Sequence, residues 1–100
     1  MKLIITENKR NKIVTAWLNK YYSDLFTKEY PRWDIIDFFT TDGPGSKVFI
    51  YDNRVLYISN PDLKNELDTI FNVNSKDLND IFIPFMKDNY NLNVISVKYL

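Results

Sequence analysis

Residues 47–59 read KVFIYDNRVLYIS, two apolar runs rich in β-branched and aromatic residues, Lys47 to Tyr51 and Arg54 to Ser59, separated by Asp52-Asn53. Asp and Asn tolerate the positive φ that a tight type I′ turn requires, so the segment predicts a β-hairpin. A turn centred on Asp52-Asn53 pairs Tyr51 with Arg54, Ile50 with Val55 and Phe49 with Leu56. Alternation then places Val48, Ile50, Val55 and Tyr57 on one face and Phe49, Tyr51, Leu56 and Ile58 on the other. Both faces are largely apolar, which predicts that both are covered.

Working outward, residues 33–41 (WDIIDFFTT) run into Asp42-Gly43-Pro44-Gly45-Ser46 and predict a strand followed by a turn, with a short helix as the alternative. Further upstream, Val14, Trp17, Leu18, Tyr21, Tyr22, Leu25 and Phe26 recur at helical spacing. They predict a helix of about five turns, entered through Thr6 as N-cap and ended by Pro31. Residues 2–5 form an apolar run that suits a strand. Downstream, Asn60-Pro61-Asp62 reads as N-cap, proline at the first helical position and an acid in the first turn, with Leu63, Leu67, Ile70 and Phe71 inward. Ser75 is the expected cap of a third helix, with Leu78, Ile81, Phe82, Phe85 and Met86 inward and Pro84 kinking or splitting it. Asn93 to Leu100 alternates, with Ile95, Val97 and Tyr99 on one face of a last strand. The expectation is a single α+β domain over residues 1–100. A small, mostly antiparallel sheet, the 47–59 hairpin with flanking strands, is packed by one long N-terminal helix and two later helices.

Composition narrows the chemistry. The chain has 100 residues, 45% of them apolar and 16% aromatic, enough for one dense core. It contains no Cys and no His. That removes thiol nucleophiles, zinc–thiolate sites, the commonest general base and the commonest transition-metal ligand. What remains is carboxylate, Lys, Tyr, Ser and Thr chemistry. Leu3 to Ile5, followed by the polar run Thr6 to Lys12, is too short for a signal-peptide core, and no membrane span is legible, since the longest apolar run, Ile81 to Met86, holds Pro84. A cytoplasmic protein without membrane association is expected.

The residual chemistry does not converge. Gly43-Pro44-Gly45-Ser46-Lys47 lacks the glycine spacing and following helix of a phosphate-binding loop and reads as a turn. Asp34 and Asp37 have opposite parity on a strand. Asp62, Glu66 and Asp68, like Asp77 and Asp80, sit near the starts of helices, where the helix dipole accounts for acids. The strand after Asp52 carries no Glu-x-Lys of the nuclease type. Ser46 and Lys47 are adjacent on a strand and point to opposite faces, so they make no nucleophile–base pair. The expectation is a protein that is not an enzyme, with no cofactor and no metal.

Two surface features remain. Sixteen aromatics exceed what one small core is expected to bury, which points to a protein-binding patch or homo-oligomer, placed on the hairpin at Phe49, Tyr51 and Arg54. Alternatively, the net charge of zero conceals a balance of +4 over residues 1–32 and −4 over the rest. Lys9, Arg10, Lys12 and Lys20 of the first helix then become candidate phosphate contacts for nucleic acid, and Lys9, Lys12 and Lys20 share with Ala16, Asn19 and Ser23 a face that no acid interrupts.

The sequence is also rich in Asn, Ile, Lys, Tyr and Phe and poor in Gly, Ala, Arg and Pro, the bias of an AT-rich genome. With Ile4-Ile5-Thr6-Glu7 and the helix Ser75 to Tyr90 ending in Tyr90-Asn91-Leu92, it resembles small uncharacterised accessory proteins of large AT-rich tailed bacteriophages. That resemblance implies a phage or mobile-element accessory protein in the host cytoplasm and carries no catalytic motif. The reading is therefore a small interaction protein acting by protein–protein binding, with nucleic-acid binding through the first helix as the alternative.

Overall fold

A computed structural model describes residues 7–40 and 47–100. The strand expected at 2–5, the Thr6 cap and the turn at 42–46 lie outside the described residues. The elements are α1 (Glu7–Tyr21), β1 (Phe26–Tyr30), a 3₁₀ turn (Pro31–Trp33), β2 (Ile35–Phe39), β3 (Lys47–Asp52), β4 (Val55–Ile58), α2 (Pro61–Thr69), α3 (Ser75–Tyr90) and β5 (Ser96–Tyr99). The strands form one sheet in the order β1-β2-β3-β4-β5. The first four are an antiparallel meander, and β5 returns through the two helices to lie parallel to β4. This is an α+β fold with a mostly antiparallel sheet. No described helix is long and apolar enough to cross a membrane.

The hairpin forms with its register moved by two. Asn53 (φ 50°) and Arg54 (φ 69°) are the central turn residues, so Asp52 pairs with Val55, Tyr51 with Leu56, Ile50 with Tyr57 and Phe49 with Ile58. A shift of two preserves parity, so the two faces keep the expected membership except at Val48, which the β2–β3 register skips and which is fully buried in the core. They are not equally covered. Phe49, Tyr51, Leu56 and Ile58 lie in the core with Phe38 and Val97, beneath Val14 and Leu18 of α1, Leu63 and Leu67 of α2, and Ile81, Phe82 and Phe85 of α3. Ile50, Val55 and Tyr57 on the opposite face are only half-buried.

The first helix stops one turn early. Leu25 and Phe26 extend its apolar spacing, yet the chain leaves the helix after Tyr21 and Phe26 begins an edge strand. The reason lies 65 or more residues away. The Tyr90 hydroxyl accepts from the Leu25 N–H (3.1 Å) and donates to the Tyr22 carbonyl, satisfying backbone groups that another helical turn would have paired. Pro31 then opens the 3₁₀ turn between β1 and β2 instead of ending a helix.

The later helices follow their caps. Asn60 Oδ1 accepts from the N–H groups of Asp62 and Leu63, with Pro61 at the first position. Ile70 falls just beyond α2 and is 69% exposed instead of inward. The cap of α3 is Asn74, not Ser75: its side chain accepts from Lys76 and Asp77 while Asp77 reaches back to the Asn74 N–H, a capping box. The helix runs unbroken through the exposed Pro84. At the β5 edge, Asn79 Oδ1 of α3 accepts from the Val97 N–H (2.8 Å), which blunts that side of the sheet against further pairing.

Tyr99 ties β5 to α2. Its hydroxyl donates to Asp68 (3.4 Å) and Lys64 Nζ lies 5.1 Å from its ring centre. Burial first, then the charge of Asp68 and its hydrogen bond, push the phenol from 10.0 up to about 12. Tyr22 and Tyr90 are also pushed up, chiefly by burial. A group that binds its proton more tightly when folded contributes stability that is complete below its unfolded pKa and is lost as the pH climbs to the folded one. Melting temperatures are therefore expected to hold up to pH 10 and fall between pH 10 and about 12. The Tyr99→Phe variant should fall less steeply across that window, and equal slopes for the two proteins would contradict the assignment.

Candidate functional site

The residues expected to bind a partner separate into core and surface. Phe49 is fully buried and Tyr51 is 7% exposed, so neither is a surface anchor. Alternation grouped them correctly, but the helices pack on their face, and Phe49 contacts the rings of Tyr22, Phe38 and Phe82 at 5.7–6.3 Å. Arg54 alone of the three is exposed, at the hairpin tip.

Around Arg54 the structure gathers residues the sequence left apart. The 3₁₀ turn Pro31–Trp33 closes on Asp34 in the left-handed region (φ 55°), whose N–H donates to the Pro31 carbonyl. The Asp34 carbonyl accepts from the Asn53 N–H (3.3 Å), and the Arg54 carbonyl accepts from the Ile95 N–H (2.8 Å). Three chain segments are thereby laced together at one end of the sheet. Trp33 (60% exposed) and Ile95 (63% exposed) stand there, with the Arg32 guanidinium 5.6 Å from the centre of the Trp33 ring.

Backbone strain concentrates at this end. Asp34, Asn53 and Arg54 are three of the five non-glycine residues with positive φ among the described residues. For Asp and Asn the left-handed region is tolerable, but for Arg it costs about 1 kcal/mol. Glycine at this position would create Asn-Gly, the preferred pair for a type I′ turn. Arg54→Gly is expected to stabilise the protein by about 0.5–1 kcal/mol and raise Tm by about 3–6 °C. Calorimetry checks it; an unchanged or lowered Tm would mean that the Arg54 side chain itself supports the fold.

Tertiary packing separates Arg10 from the lysines of α1. Arg10 is not available to a phosphate: its Nη2 lies 2.7 Å from Asp77 Oδ2, and Nη1 donates to the Asn72 carbonyl. Lys9, Lys12 and Lys20 are exposed. Lys12, however, shares a shallow cleft of about 430 Å³ with Asn11, Thr15, Asn19 and Asp80, so α3 places an acid beside this face of α1. Lys20 Nζ lies 5.3 Å from the centre of the Tyr21 ring. Lys9, Lys12 and Lys20 thus stay exposed on α1, with Asp80 of α3 beside Lys12.

Acids are likewise dispersed. Asp37 pairs with Lys47 (3.3 Å) while Asp34 sits at the exposed end of the sheet, and no group of three metal-ligating side chains occurs among the described residues. Trp33 opens the apolar run 33–41, so its spacing alone does not mark it as a surface residue. The signal was its setting in Tyr30-Pro31-Arg32-Trp33-Asp34, where proline and charge mark a turn. No protein family, curated protein or solved structure matches the chain.

Proposed function

We propose that this chain is a non-enzymatic interaction protein that binds another protein, or a second copy of itself, through the end of the sheet carrying Trp33, Arg54 and Ile95. The observation that carries this reading is the exposure of Trp33 on a turn tied to its neighbours by backbone hydrogen bonds. Tryptophan and arginine are the residue types that most often dominate binding energy, because a rigid ring and a planar guanidinium lose little entropy when they dock. The strained conformation of Arg54 supports the same reading, since such backbone outliers gather where a side chain must be held in place. The phage or mobile-element origin and the host cytoplasmic location rest on the sequence resemblance alone.

The test pairs stability with binding. Trp33→Ala is expected to leave stability within about 0.5 kcal/mol of wild type, as exposed positions do. It should abolish an association that Ile70→Ala, exposed on another part of the surface, leaves intact. Sedimentation velocity reads the self-association arm, and affinity capture from host extract with wild type, Trp33→Ala and Ile70→Ala side by side reads the other. Identical sedimentation and identical captured proteins for all three would overturn the proposal.

A further inference from the structure

The three helices pack on one face of the sheet, and the register assigns the composition of the other. One row crosses all five strands: Lys28 opposite Asp37, Asp37 opposite Ile50, Ile50 opposite Tyr57 and Tyr57 opposite Lys98. A second row begins with Tyr30 and Ile35, and at the other end Phe26 lies opposite Phe39. The β-bulge between Phe38 and Phe39 brings Lys47 to this face, where its Nζ reaches both Asp37 (3.3 Å) and the Phe39 ring (5.9 Å). Four aromatic rings and three lysines thus share one face with Asp37, which is buried at 7% exposure and whose carboxylate Lys47 neutralises. Asp52 stands at the hairpin end with Asn53 donating to it (2.8 Å).

The rings are presented to cations. Lys28 Nζ lies 5.4 Å from the centre of the Tyr30 ring, and Lys47 is placed similarly over Phe39. Phe26 is 54% exposed, and Lys28 and Lys98 are exposed at opposite edges of the row. Across five strands about 4.8 Å apart the row spans roughly 19 Å, the length of about three nucleotides of an extended strand. Bases stack on outward ring faces, and lysines at the margins meet the phosphates that run beside them.

We infer that this open face is a binding platform for single-stranded nucleic acid, with Phe26, Phe39 and Tyr57 as stacking surfaces and Lys28 and Lys98 as phosphate contacts. The choice of ligand rests on complementarity: a polyanion whose every unit carries a π-face fits a face on which rings alternate with lysines, and duplex DNA, whose bases are already stacked, does not. This surface is distinct from the Trp33 end and from the α1 lysines, so the inference stands apart from the proposed protein interaction. The β1 edge argues against the alternative of a second copy adding to the sheet, since Lys28 and Glu29 are exposed along it and charged edges resist pairing.

The experiment is fluorescence anisotropy with labelled oligothymidylate and oligouridylate of about ten nucleotides and a duplex of equal length, across a salt series starting near 50 mM. Binding of the single strands, with the duplex at least tenfold weaker, is expected. Phe26→Ala should weaken binding about tenfold at every salt concentration and leave the salt slope unchanged, because it removes a stacking surface and no charge. Lys28→Ala with Lys98→Ala should lower the slope by about 1.4, the share of two phosphate contacts on a single strand. The DNA and RNA arms identify which sugar is preferred. All three positions are exposed, so folding is not at risk, and circular dichroism verifies it. The proposal is overturned by no binding at the lowest salt, by a duplex bound as tightly as single strands, or by Lys12→Ala with Lys20→Ala reproducing the loss of slope.

Discussion

Phe49→Ala is expected to lower stability by about 4 kcal/mol, a large fraction of the 5–15 kcal/mol that holds a domain of this size together. Phe49 is fully buried and lies at the centre of a ring cluster, with Phe38, Phe82 and Tyr22 at 5.7–6.3 Å, mostly tilted or edge-on. Truncation removes the transfer energy of a phenyl ring, leaves a cavity that Phe38 of β2 and Phe82 of α3 cannot both fill, and breaks three aromatic contacts at once. Urea titration followed by tryptophan fluorescence reads the effect as a lower midpoint with an unchanged slope. A loss below about 1 kcal/mol would place Phe49 at the surface, as an anchor, and reverse the assignment of the covered face. Arg54→Ala, by contrast, removes no buried area and is expected to leave the midpoint nearly unchanged.

Asp77→Ala is expected to cost about 3–4 kcal/mol. Asp77 closes the capping box of α3 by accepting from the Asn74 N–H, and it also accepts the Arg10 guanidinium at 2.7 Å, both side chains being largely buried. Losing the cap alone costs about 1 kcal/mol. The larger share comes from Arg10, left with a largely buried charge and only the neutral oxygens of Asn72 and Asn11 as partners. Removing the other partner is not symmetrical. In Arg10→Met the Asp77 carboxylate keeps the Asn74 N–H and the positive end of α3, so this variant should cost less than half as much. Chemical denaturation of both variants decides it, and equal losses would show that Asp77 without Arg10 is left as poorly compensated as Arg10 without Asp77.

Both expected losses fall on contacts between elements distant in sequence, and there the sequence reading was least complete. Arg10 looked like a phosphate contact because the acid that binds it belongs to a helix beginning some 65 residues later. The α1 face looked free of acids until α3 placed Asp80 beside Lys12. Tyr90 ends α1 and makes room for β1, the strand that periodicity folded into a longer helix. Helix starts, in contrast, were legible wherever a side chain caps its own backbone, as at Asn60, and missed by a single residue at Asn74.

The amino-acid order by itself determined the hairpin, the membership of its two faces, the two later helices and the α+β class, because each follows from backbone preferences and alternation over a few neighbouring residues. Only the tertiary structure decided which face the helices cover, and with it that Phe49 and Tyr51 are core while Arg54, Trp33, Lys28 and Lys98 remain outside. Alternation says which side chains share a face but not what lies against it. With both faces apolar, that choice depends on where three helices find their own partners, and those partners are set by contacts that local periodicity does not encode.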